Sequence, residues 1–274
     1  MRILVVNPNT TASMTEKIAA AGKRVAAPGT EIIAVNPVDG PPSIEGYFDE
    51  VYAVPGLLAE MRRAPDMDAY VVACFDDTGL DAARCITSAP VVGIGEAAFH
   101  MASLVAGRFS VVTTLARSVP AIEHNLSKYG LSTRCARVRA SDIPVLELER
   151  PGSDACRMIS AEIDRAIVDD HAEAIVLGCA GMTDLADRLS SEHGLPVLDG
   201  VACAVKLAEG LVSLGARTSK LGGYASPGRK SFAGIFAPAS PGGSGSQPPA
   251  LMEVERTIEG RPGSGVESFG GAGN

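Results

Sequence analysis

Short apolar runs recur along the chain, separated by longer stretches with apolar residues at helical spacing. The runs are rich in β-branched residues and lack polar alternation, which is typical of strands buried on both faces of a parallel sheet. They predict strands at residues 3–6, 31–35, 69–73, 91–94, 109–113, 174–178 and 196–198. The stretches between them predict helices at residues 13–26, 49–63, 97–106 and 154–169. This alternation predicts an α/β fold with parallel strands.

Three segments of the chain recur in the same order. DAYVVAC at 68–74 matches EAIVLGC at 173–179, an offset of 105 residues. RILVVN at 2–7 matches RFSVVT at 108–113, and APVV at 89–92 matches LPVL at 195–198, both at an offset of 106. Any one match could reflect the common look of parallel strands, but three in register indicate an internal duplication. We therefore expect two pseudo-symmetric parallel-sheet lobes with helices on both faces.

Composition limits the partners of the chain. Of 274 residues, 46% are hydrophobic and 20% charged, and the net charge is −8. The negative charge disfavours a nucleic acid or an anionic membrane as a partner. The first apolar run is too short for a signal peptide, and no stretch approaches the ~20 apolar residues of a membrane span, so we expect a cytoplasmic protein. From about Pro238 to residue 274 the chain is rich in Pro, Gly and Ser, which predicts a disordered tail.

The six cysteines include no CxxC pair, so a metal site has little support. The four histidines are scattered, and no Ser-His-Asp arrangement is predicted from their positions. In a chain of this length without a signal peptide, most cysteines are expected to be buried, reduced thiols. We therefore predict no disulfide framework and no metal.

Cys74 and Cys179 differ from the other cysteines because they occupy equivalent positions in the repeat. Each ends a predicted strand, where ligands bind in parallel α/β sheets. Each is followed by a loop of turn-forming residues, FDDTG at 75–79 and AGMTD at 180–184, that is expected to open a helix. A thiol pKa, ordinarily ~8.5, is readily lowered near a helix N-terminus.

Two thiols facing each other across a cleft suit stereochemical inversion. One thiolate would remove an acidic proton from a carbon, and the opposite thiol would protonate the planar carbanion on its other face. Backbone N–H groups would stabilise the enolate oxygen. The residues thus predict a two-base active site in a cleft between the lobes, with Cys74 and Cys179 as catalytic residues.

Several segments carry a resemblance to a known family. They are NPNT at 7–10, IEGY at 44–47, ACFDDTGL at 73–80, VGIGEAA at 92–98 and LGCAGM at 177–182. Over roughly residues 1–237 the chain resembles the aspartate/glutamate racemase superfamily, and within it the bacterial hydantoin racemases. The resemblance implies a two-lobed α/β fold, no cofactor, a homo-oligomer, and Cys74 and Cys179 as the two bases. It also implies that lobe one spans residues 1–100 and is completed by about 205–237, with lobe two at 101–204.

The chain departs from the amino-acid racemases of that superfamily. Those resemble one another in having Asn-Thr after the first cysteine and Thr-His or Thr-Glu after the second, whereas here Phe75-Asp76 and Ala180-Gly181 stand there. The groups for a free amino acid's carboxylate and ammonium are therefore missing. Asp76, Asp77 and Asp184 would also repel a carboxylate, so the small-molecule substrate is expected to be a neutral ring such as a 5-substituted hydantoin.

Further residues near the loops are candidates for binding this ring. They are Asn7, Glu45, Tyr47, Phe75, Asp76, Thr78, Thr113, Thr114, Ala180 and Gly181. Each has a structural alternative: Asn7 could build a turn, Tyr47 could pack, and Asp76 could be a solvated loop residue. VGIGEAA does not fit GxGxxG, so we reject a dinucleotide site.

The function has alternatives. An allantoin racemase of the same family is the nearest one, since allantoin is a hydantoin that carries a ureido group. A more distant alternative is a cis–trans isomerase or a decarboxylase of the same fold. Decarboxylases of this type resemble one another in keeping only the second cysteine, so Cys74 argues against a decarboxylase. A non-enzymatic two-lobed ligand-binding protein is the alternative from another class, and it has no need for a symmetric pair of thiols.

Overall fold

Two four-stranded parallel sheets form the framework of the protein. The computed structural model describes residues 1–150 and 152–242. The first sheet has the order β2-β1-β3-β4, from β1 (Arg2–Val6), β2 (Glu31–Val35), β3 (Ala69–Val72) and β4 (Val91–Gly93). The second has the order β6-β5-β7-β8, from β5 (Phe109–Thr113), β6 (Cys135–Ala140), β7 (Ala174–Leu177) and β8 (Val197–Asp199). Every neighbouring pair is parallel, and the predicted α/β class with two parallel sheets is confirmed.

Eight α-helices connect these strands in the described part of the chain. They are α1 (Ala12–Val25), α2 (Tyr47–Arg63), α3 (Leu80–Ile86), α4 (Ile94–Val105), α5 (Val119–Lys128), α6 (Ala155–Asp169), α7 (Ala186–His193) and α8 (Gly200–Ser213). Short 3₁₀ helices lie at Ala116–Ser118, Val145–Glu149, Ala180–Met182, Gly222–Tyr224 and Gly234–Ala239. None of the described helices combines the length and the apolarity required to cross a membrane.

Alternate residues of each strand face different cores, because successive side chains of a strand point to opposite faces. In β1, Ile3 and Val5 belong to the largest core cluster, which also takes in residues of the second sheet. Leu4 and Val6 face the other way and pack with residues of α2 and α3. An equivalent outer cluster lies between the second sheet and α6 and α7. Burial on both faces explains why the strands read as continuous apolar runs.

The core between the two sheets is built around aromatic rings. Phe99 on α4 is fully buried and stacks on Phe109 of β5, with ring centroids 6.1 Å apart. Phe75, in the loop after Cys74, meets the edge of Phe99 at 5.4 Å. Burying a phenyl ring contributes about 2–3 kcal/mol. The position of the loop after Cys74 is therefore linked to the packing between the sheets.

All of the predicted strands and helices are present; β2 and β5 have the predicted bounds, and the others have shifted ends. The largest shift is at α4, which begins at Ile94 rather than at the predicted residue 97. The strand β6 was not predicted, because its sequence CARVRA carries Arg137 and Arg139. As an edge strand, β6 can expose Arg137 and hold Arg139 in ion pairs with Asp169 and Asp170 while it pairs with β5.

The helix α8 returns the chain towards the first sheet after β8. It packs against α1, α4, β3 and β4, and also contacts β8. The described residues that follow it include the 3₁₀ helix Gly222–Tyr224, which contacts α3. The lobe boundaries near residues 100 and 204 remain a prediction. Most of the predicted disordered tail, from residue 243 onward, lies outside the described residues.

Candidate active site

Cys74 and Cys179 line the same pocket, which we call the two-thiol pocket. Each cysteine stands two residues beyond a central strand, Cys74 after β3 and Cys179 after β7. The pocket has a volume of about 400 Å³ including its open mouth. It is lined by Asn9, Met14, Ile44, Ala73, Cys74, Phe75, Asp76, Thr113, Thr114, Ser118, Val145, Gly178, Cys179 and Ala180. Residues that follow strands of both sheets thus meet around one small cavity.

Each thiol accepts a hydrogen bond from its own loop. The Thr78 hydroxyl donates to Cys74 Sγ at 3.4 Å, and the backbone N–H of Gly181 donates to Cys179 Sγ at 3.4 Å. Cys179 is the N-cap of the 3₁₀ helix Ala180–Met182, whereas five residues separate Cys74 from α3. Thr78 and Gly181, both predicted to contact the substrate, therefore contact the sulfur atoms and do not line the pocket.

The expected lowering of the thiol pKa is not found, because burial in the two-thiol pocket raises the pKa of both cysteines. Burial raises the pKa of Cys74 well above its ordinary value, and the Asp76 carboxyl raises it further. Burial raises the pKa of Cys179 to about 12, with a smaller effect of Asp76 and only a partial opposing effect of the Gly181 N–H. Desolvation of the charged thiolate outweighs the local donors at both positions.

Carboxyl groups cluster on the Cys74 wall. Burial raises the pKa of Asp76 to about 7, and the neighbouring Glu50 and Asp77 add to the shift. Burial also raises the pKa of Glu50, and its Oε1 atom is buried without a hydrogen-bond partner among the described residues. Asp184, by contrast, is exposed. The negative field at the Cys74 wall therefore comes from the first lobe, while Glu149 of the second lobe adds a smaller effect at Cys179.

The opposite wall is neutral. Thr113 and Thr114 follow one another at the end of β5, and both are buried. The Thr113 hydroxyl donates to the carbonyl of Gly178 at 3.0 Å, so it holds β5 against the segment that carries Cys179. Ala180 completes this wall beside the sulfur. The placement of Thr113, Thr114 and Ala180 in the pocket agrees with the sequence analysis, while their contacts with a substrate remain a prediction.

Asn7 requires a correction, because its side chain is fully buried and does not line the pocket. Its amide donates to Asn9 Oδ1 at 2.9 Å and to Thr15 Oγ1 at 3.0 Å. These contacts build the turn between β1 and α1, as the structural alternative proposed. Asn9, two residues further along the same turn, takes the position that was predicted for Asn7.

Glu45 and Tyr47 also lie outside the pocket lining. Glu45 accepts a hydrogen bond from the backbone N–H of Val145 at 3.2 Å, so it holds a residue of the second lobe that does line the pocket. Tyr47, the first residue of α2, is 59% exposed. Its aromatic character suggested a substrate contact, but the local sequence pattern does not fix the direction of a side chain in the first turn of a helix.

Sequence reasoning missed Asn9, Met14, Ile44, Ser118 and Val145. Asn9 and Ile44 stand in segments that the sequence analysis singled out, so their neighbours carried a signal. Ser118 and Val145 carried none, since they reach the pocket through short 3₁₀ helices that have no apolar periodicity.

Other chemistry-bearing groups lie elsewhere. Ser160 Oγ lies 2.9 Å from His193 Nε2, and His193 Nδ1 lies 3.1 Å from Asp164 Oδ1, on α6 and α7. This Ser-His-Asp chain was not predicted, but none of the three residues lines the two-thiol pocket. All six cysteines are free, with Cys203 buried and the other five partly exposed. No group of three His, Cys, Asp or Glu side chains in residues 1–150 and 152–242 is arranged to hold a metal ion.

The fold and the site define a class of two-sheet α/β proteins. A liganded double mutant of arylmalonate decarboxylase matches with a TM-score of 0.59 at 16% identity, over 81% of this chain and 96% of that one. At this identity the likeness shows the fold alone.

Closer relatives define the family. The model of the Asp/Glu/hydantoin racemase family matches residues 3–208, and the chain belongs to that family. A hydantoin racemase from Rhizobium meliloti is 51% identical over 85% of this chain and 98% of its own length. The structure of an allantoin racemase from Klebsiella pneumoniae is 49% identical, with a TM-score of 0.84, over 86% of this chain and 98% of that one. The predicted enzyme class, a racemase, is confirmed, which argues against a non-enzymatic ligand-binding protein.

Proposed function

We propose that this chain racemises 5-monosubstituted hydantoins with Cys74 and Cys179 as paired acid and base. The observation that carries the proposal is the meeting of both thiols in one small pocket, each from the equivalent central strand of its sheet. A planar five-membered ring between two such thiols would present one face to each. The similarity to the Rhizobium meliloti hydantoin racemase supports the choice of substrate.

The reaction conserves protons. The thiolate on one wall takes the hydrogen from C5, and the electron pair of the broken C–H bond moves into the adjacent carbonyl as an enolate. The thiol on the other wall then gives its proton to the opposite face of C5 and becomes the thiolate. Exchange with solvent restores the starting protonation. Reversing the hand of the substrate reverses the roles of the two cysteines.

The field of the pocket favours a neutral ring. Asp76 and Glu50 on the Cys74 wall would repel an amino acid's carboxylate, whereas Asp76 can accept a hydrogen bond from a ring N–H. Burial, with a further effect of Asp76, raises the pKa of each thiol and so makes the thiolate less stable. A substrate that brings N–H donors towards Asp76 offsets part of this cost.

Allantoin is the second candidate substrate. The chain is nearly as similar to the Klebsiella pneumoniae allantoin racemase as to the Rhizobium meliloti hydantoin racemase, at 49% against 51% identity. Allantoin contains the same ring and the same acidic carbon, so the two-thiol chemistry applies to it unchanged. Overall identity therefore does not separate the two substrates.

The test is deuterium uptake from heavy water, followed together with loss of optical rotation, on each enantiomer of a 5-alkyl hydantoin and of allantoin. We expect racemisation with exchange in the unmodified protein. Cys74→Ser and Cys179→Ser should each abolish racemisation in both directions, because inversion needs both walls. Each variant should still exchange one enantiomer through its remaining thiolate, and the two variants should prefer opposite enantiomers.

Cys203→Ser is the matched control, since Cys203 is a buried thiol of the core on α8. It should retain racemisation. The proposal fails if Cys203→Ser is as damaging as either other variant, or if both cysteine variants exchange the same enantiomer. Faster racemisation of allantoin than of any 5-alkyl hydantoin would move the assignment to the alternative substrate.

Three further features belong to the proposal. We infer that no metal or organic cofactor is required, since proton transfer between two thiols needs none; activity should then survive exhaustive chelation and dialysis. The six free cysteines and acidic charge suit a cytoplasmic enzyme. The homo-oligomer implied by the family resemblance can be tested by light scattering, where a monomeric mass would contradict it.

A further inference from the structure

The N-termini of two equivalent helices are capped in different ways. In the second lobe, Asp199 ends β8 and is the N-cap of α8. Its carboxylate accepts the backbone N–H groups of Val201 at 2.8 Å and Ala202 at 3.1 Å. This is the usual way in which a helix start is satisfied, by the side chain of its own N-cap residue.

In the first lobe the cap comes from the loop that follows Cys74. The residue 106 positions before Asp199 is Gly93, the N-cap of α4, and it has no side chain to offer. Asp77 supplies the carboxylate instead. Its Oδ1 accepts the N–H of Gly95 at 3.0 Å, and its Oδ2 accepts the N–H of Glu96 at 2.8 Å.

The packing around this cap is close. A Cβ atom on Gly93 would lie 2.1 Å from Asp77 Oδ1, and one on Gly95 would lie 2.3 Å from the carbonyl oxygen of Phe75. Asp77 itself has φ of 51°, in the left-handed region where few residue types other than Gly and Asn or Asp are found. The two glycines and the unusual backbone of Asp77 are thus parts of one arrangement that fixes the loop.

The second lobe contacts the same loop at two points. The Tyr129 hydroxyl donates to Asp77 Oδ2 at 2.8 Å, and the Asn125 amide donates to the carbonyl oxygen of Asp76 at 2.8 Å. Asn125 lies on α5, and Tyr129 is the C-cap of that helix. Asp77 therefore joins the loop after Cys74 to the first-lobe helix α4 and to the second lobe together.

We propose that Asp77 is a positioning residue that, together with Tyr129, sets the place of the Cys74 thiol relative to the second lobe. This inference rests on the proposed two-thiol racemisation. Asp77 is not among the residues that line the pocket, so it acts through the loop and not on the substrate. A misplacement of about 1 Å can lower the rate of a proton transfer about a hundredfold.

The test uses Tyr129→Phe and Asp77→Asn in the full-length chain, with deuterium exchange of each hydantoin enantiomer as the readout. Cys74→Ser first identifies the enantiomer whose exchange depends on Cys74. In Tyr129→Phe and Asp77→Asn, exchange of that enantiomer should fall by about tenfold to a hundredfold, while exchange of the other enantiomer should fall by less than about threefold. Racemisation should fall equally in both directions.

Tyr70→Phe is the matched control, because the hydroxyl of the buried Tyr70, like that of the half-buried Tyr129, donates one hydrogen bond, here to the carbonyl oxygen of Ala64 at 2.7 Å. It should leave both exchange rates unchanged. An equal fall for both enantiomers in Tyr129→Phe, or an equal effect of Tyr70→Phe, would overturn the positioning role. Absence of exchange in the unmodified protein would instead overturn the proposed function. Tyr129→Phe removes one hydroxyl only, so it remains informative if Asp77→Asn does not fold.

Discussion

The loops after Cys74 and Cys179 stand at equivalent places in the two sheets, yet they are held by different means. The first is a five-residue segment whose Asp77 is bound by α4 and by Tyr129. The second enters a 3₁₀ helix at once, and Cys179 itself caps that helix. The duplicated fold thus determines where each thiol stands, whereas the contacts of each loop determine how firmly that thiol is held.

The electrostatic surroundings of the two thiols differ as well. Asp76 and Glu50 add to the raised pKa of Cys74, and Asp76 also acts across the pocket on Cys179. No acidic residue of the second lobe lines the pocket among the described residues. Asp76 of the first lobe therefore acts on both thiols, while Glu149 of the second lobe has a smaller effect on Cys179.

The largest expected effect comes from adding a side chain at Gly93, the N-cap residue of α4. Gly93→Ala should lower the free energy of unfolding by about 3 kcal/mol, because its Cβ would lie 2.1 Å from Asp77 Oδ1. The backbone at Gly93 has φ of −84°, which any residue can adopt, so lack of space is the only obstacle. Urea unfolding measures the change.

A double variant tests whether the cap of α4 can be exchanged for the kind of cap found on α8. Asp77→Gly with Gly93→Asp moves the capping carboxylate to the N-cap residue itself, as in the second lobe, where Asp199 stands 106 positions after Gly93, and a glycine tolerates the φ of 51° at residue 77. It should recover most of the stability that Gly93→Ala loses. Gly210→Ala on α8 is the control, since no atom lies within 4 Å of the added Cβ, and it should be neutral or stabilising by up to about 1 kcal/mol. No recovery in the double variant would contradict the exchange of caps.

The next effect concerns the charge on the first lobe. Asp76→Asn should lower the pKa of both thiols and raise their rate of alkylation about tenfold at neutral to alkaline pH. Because the pKa of Asp76 is raised to about 7, the carboxyl is neutral below that pH and the two proteins should converge there. The alkylation rate of each cysteine is measured by mass spectrometry between about pH 5 and about pH 9, which brackets the pKa of Asp76 on both sides. Asp184→Asn, at an exposed position, should change nothing.

A smaller effect is expected at the hydrogen bond to the first thiol. Thr78→Val removes the hydroxyl that lowers the pKa of Cys74, so alkylation of Cys74 should slow by about twofold to threefold. Alkylation of Cys179 in the same protein is the internal control and should be unaffected. An equal fall in the alkylation rates of both thiols would indicate that the whole pocket has become less accessible.

The smallest effect is expected from the tail. In the described part, removal of residues 238–274 deletes only exposed hydrogen bonds, from Arg62 Nη1 to the carbonyl oxygen of Ala239 and between Ser240 and the residues Phe232 and Ala237. Stability should change by less than about 0.5 kcal/mol and the racemisation rate should stay the same. A large loss of either, measured by urea unfolding and polarimetry, would show that the tail takes part in one of the lobes.

The sequence predicted the framework well because buried parallel strands have a strong local signature. The repeat then placed Cys74 and Cys179 at equivalent strand ends, and the structure brings both to one pocket. What local patterns do not record is the partner of a polar side chain. Asn7 was assigned to the substrate, yet its donors are used within its own turn.

The raised pKa values of the thiols could not be predicted for a related reason. They depend on burial by both lobes and on Asp76 reaching across the pocket, and both are properties of the packed molecule. The edge strand β6 was missed because pairing with β5, and not apolar character, defines it. Tertiary contacts thus decided each feature that the sequence analysis got wrong.

The unequal walls have a thermodynamic consequence. Mirror-image hydantoins have the same free energy in solution, so a racemase must bring them to equal concentrations whatever its own asymmetry. Detailed balance then requires kcat/KM to be identical for the two hands, even though in the proposed mechanism one meets the thiol beside Asp76 and the other meets the thiol on the opposite wall. The two enantiomers can therefore differ in kcat and in KM only if both constants differ by the same factor. One enantiomer is then bound more tightly and turned over more slowly than its mirror image.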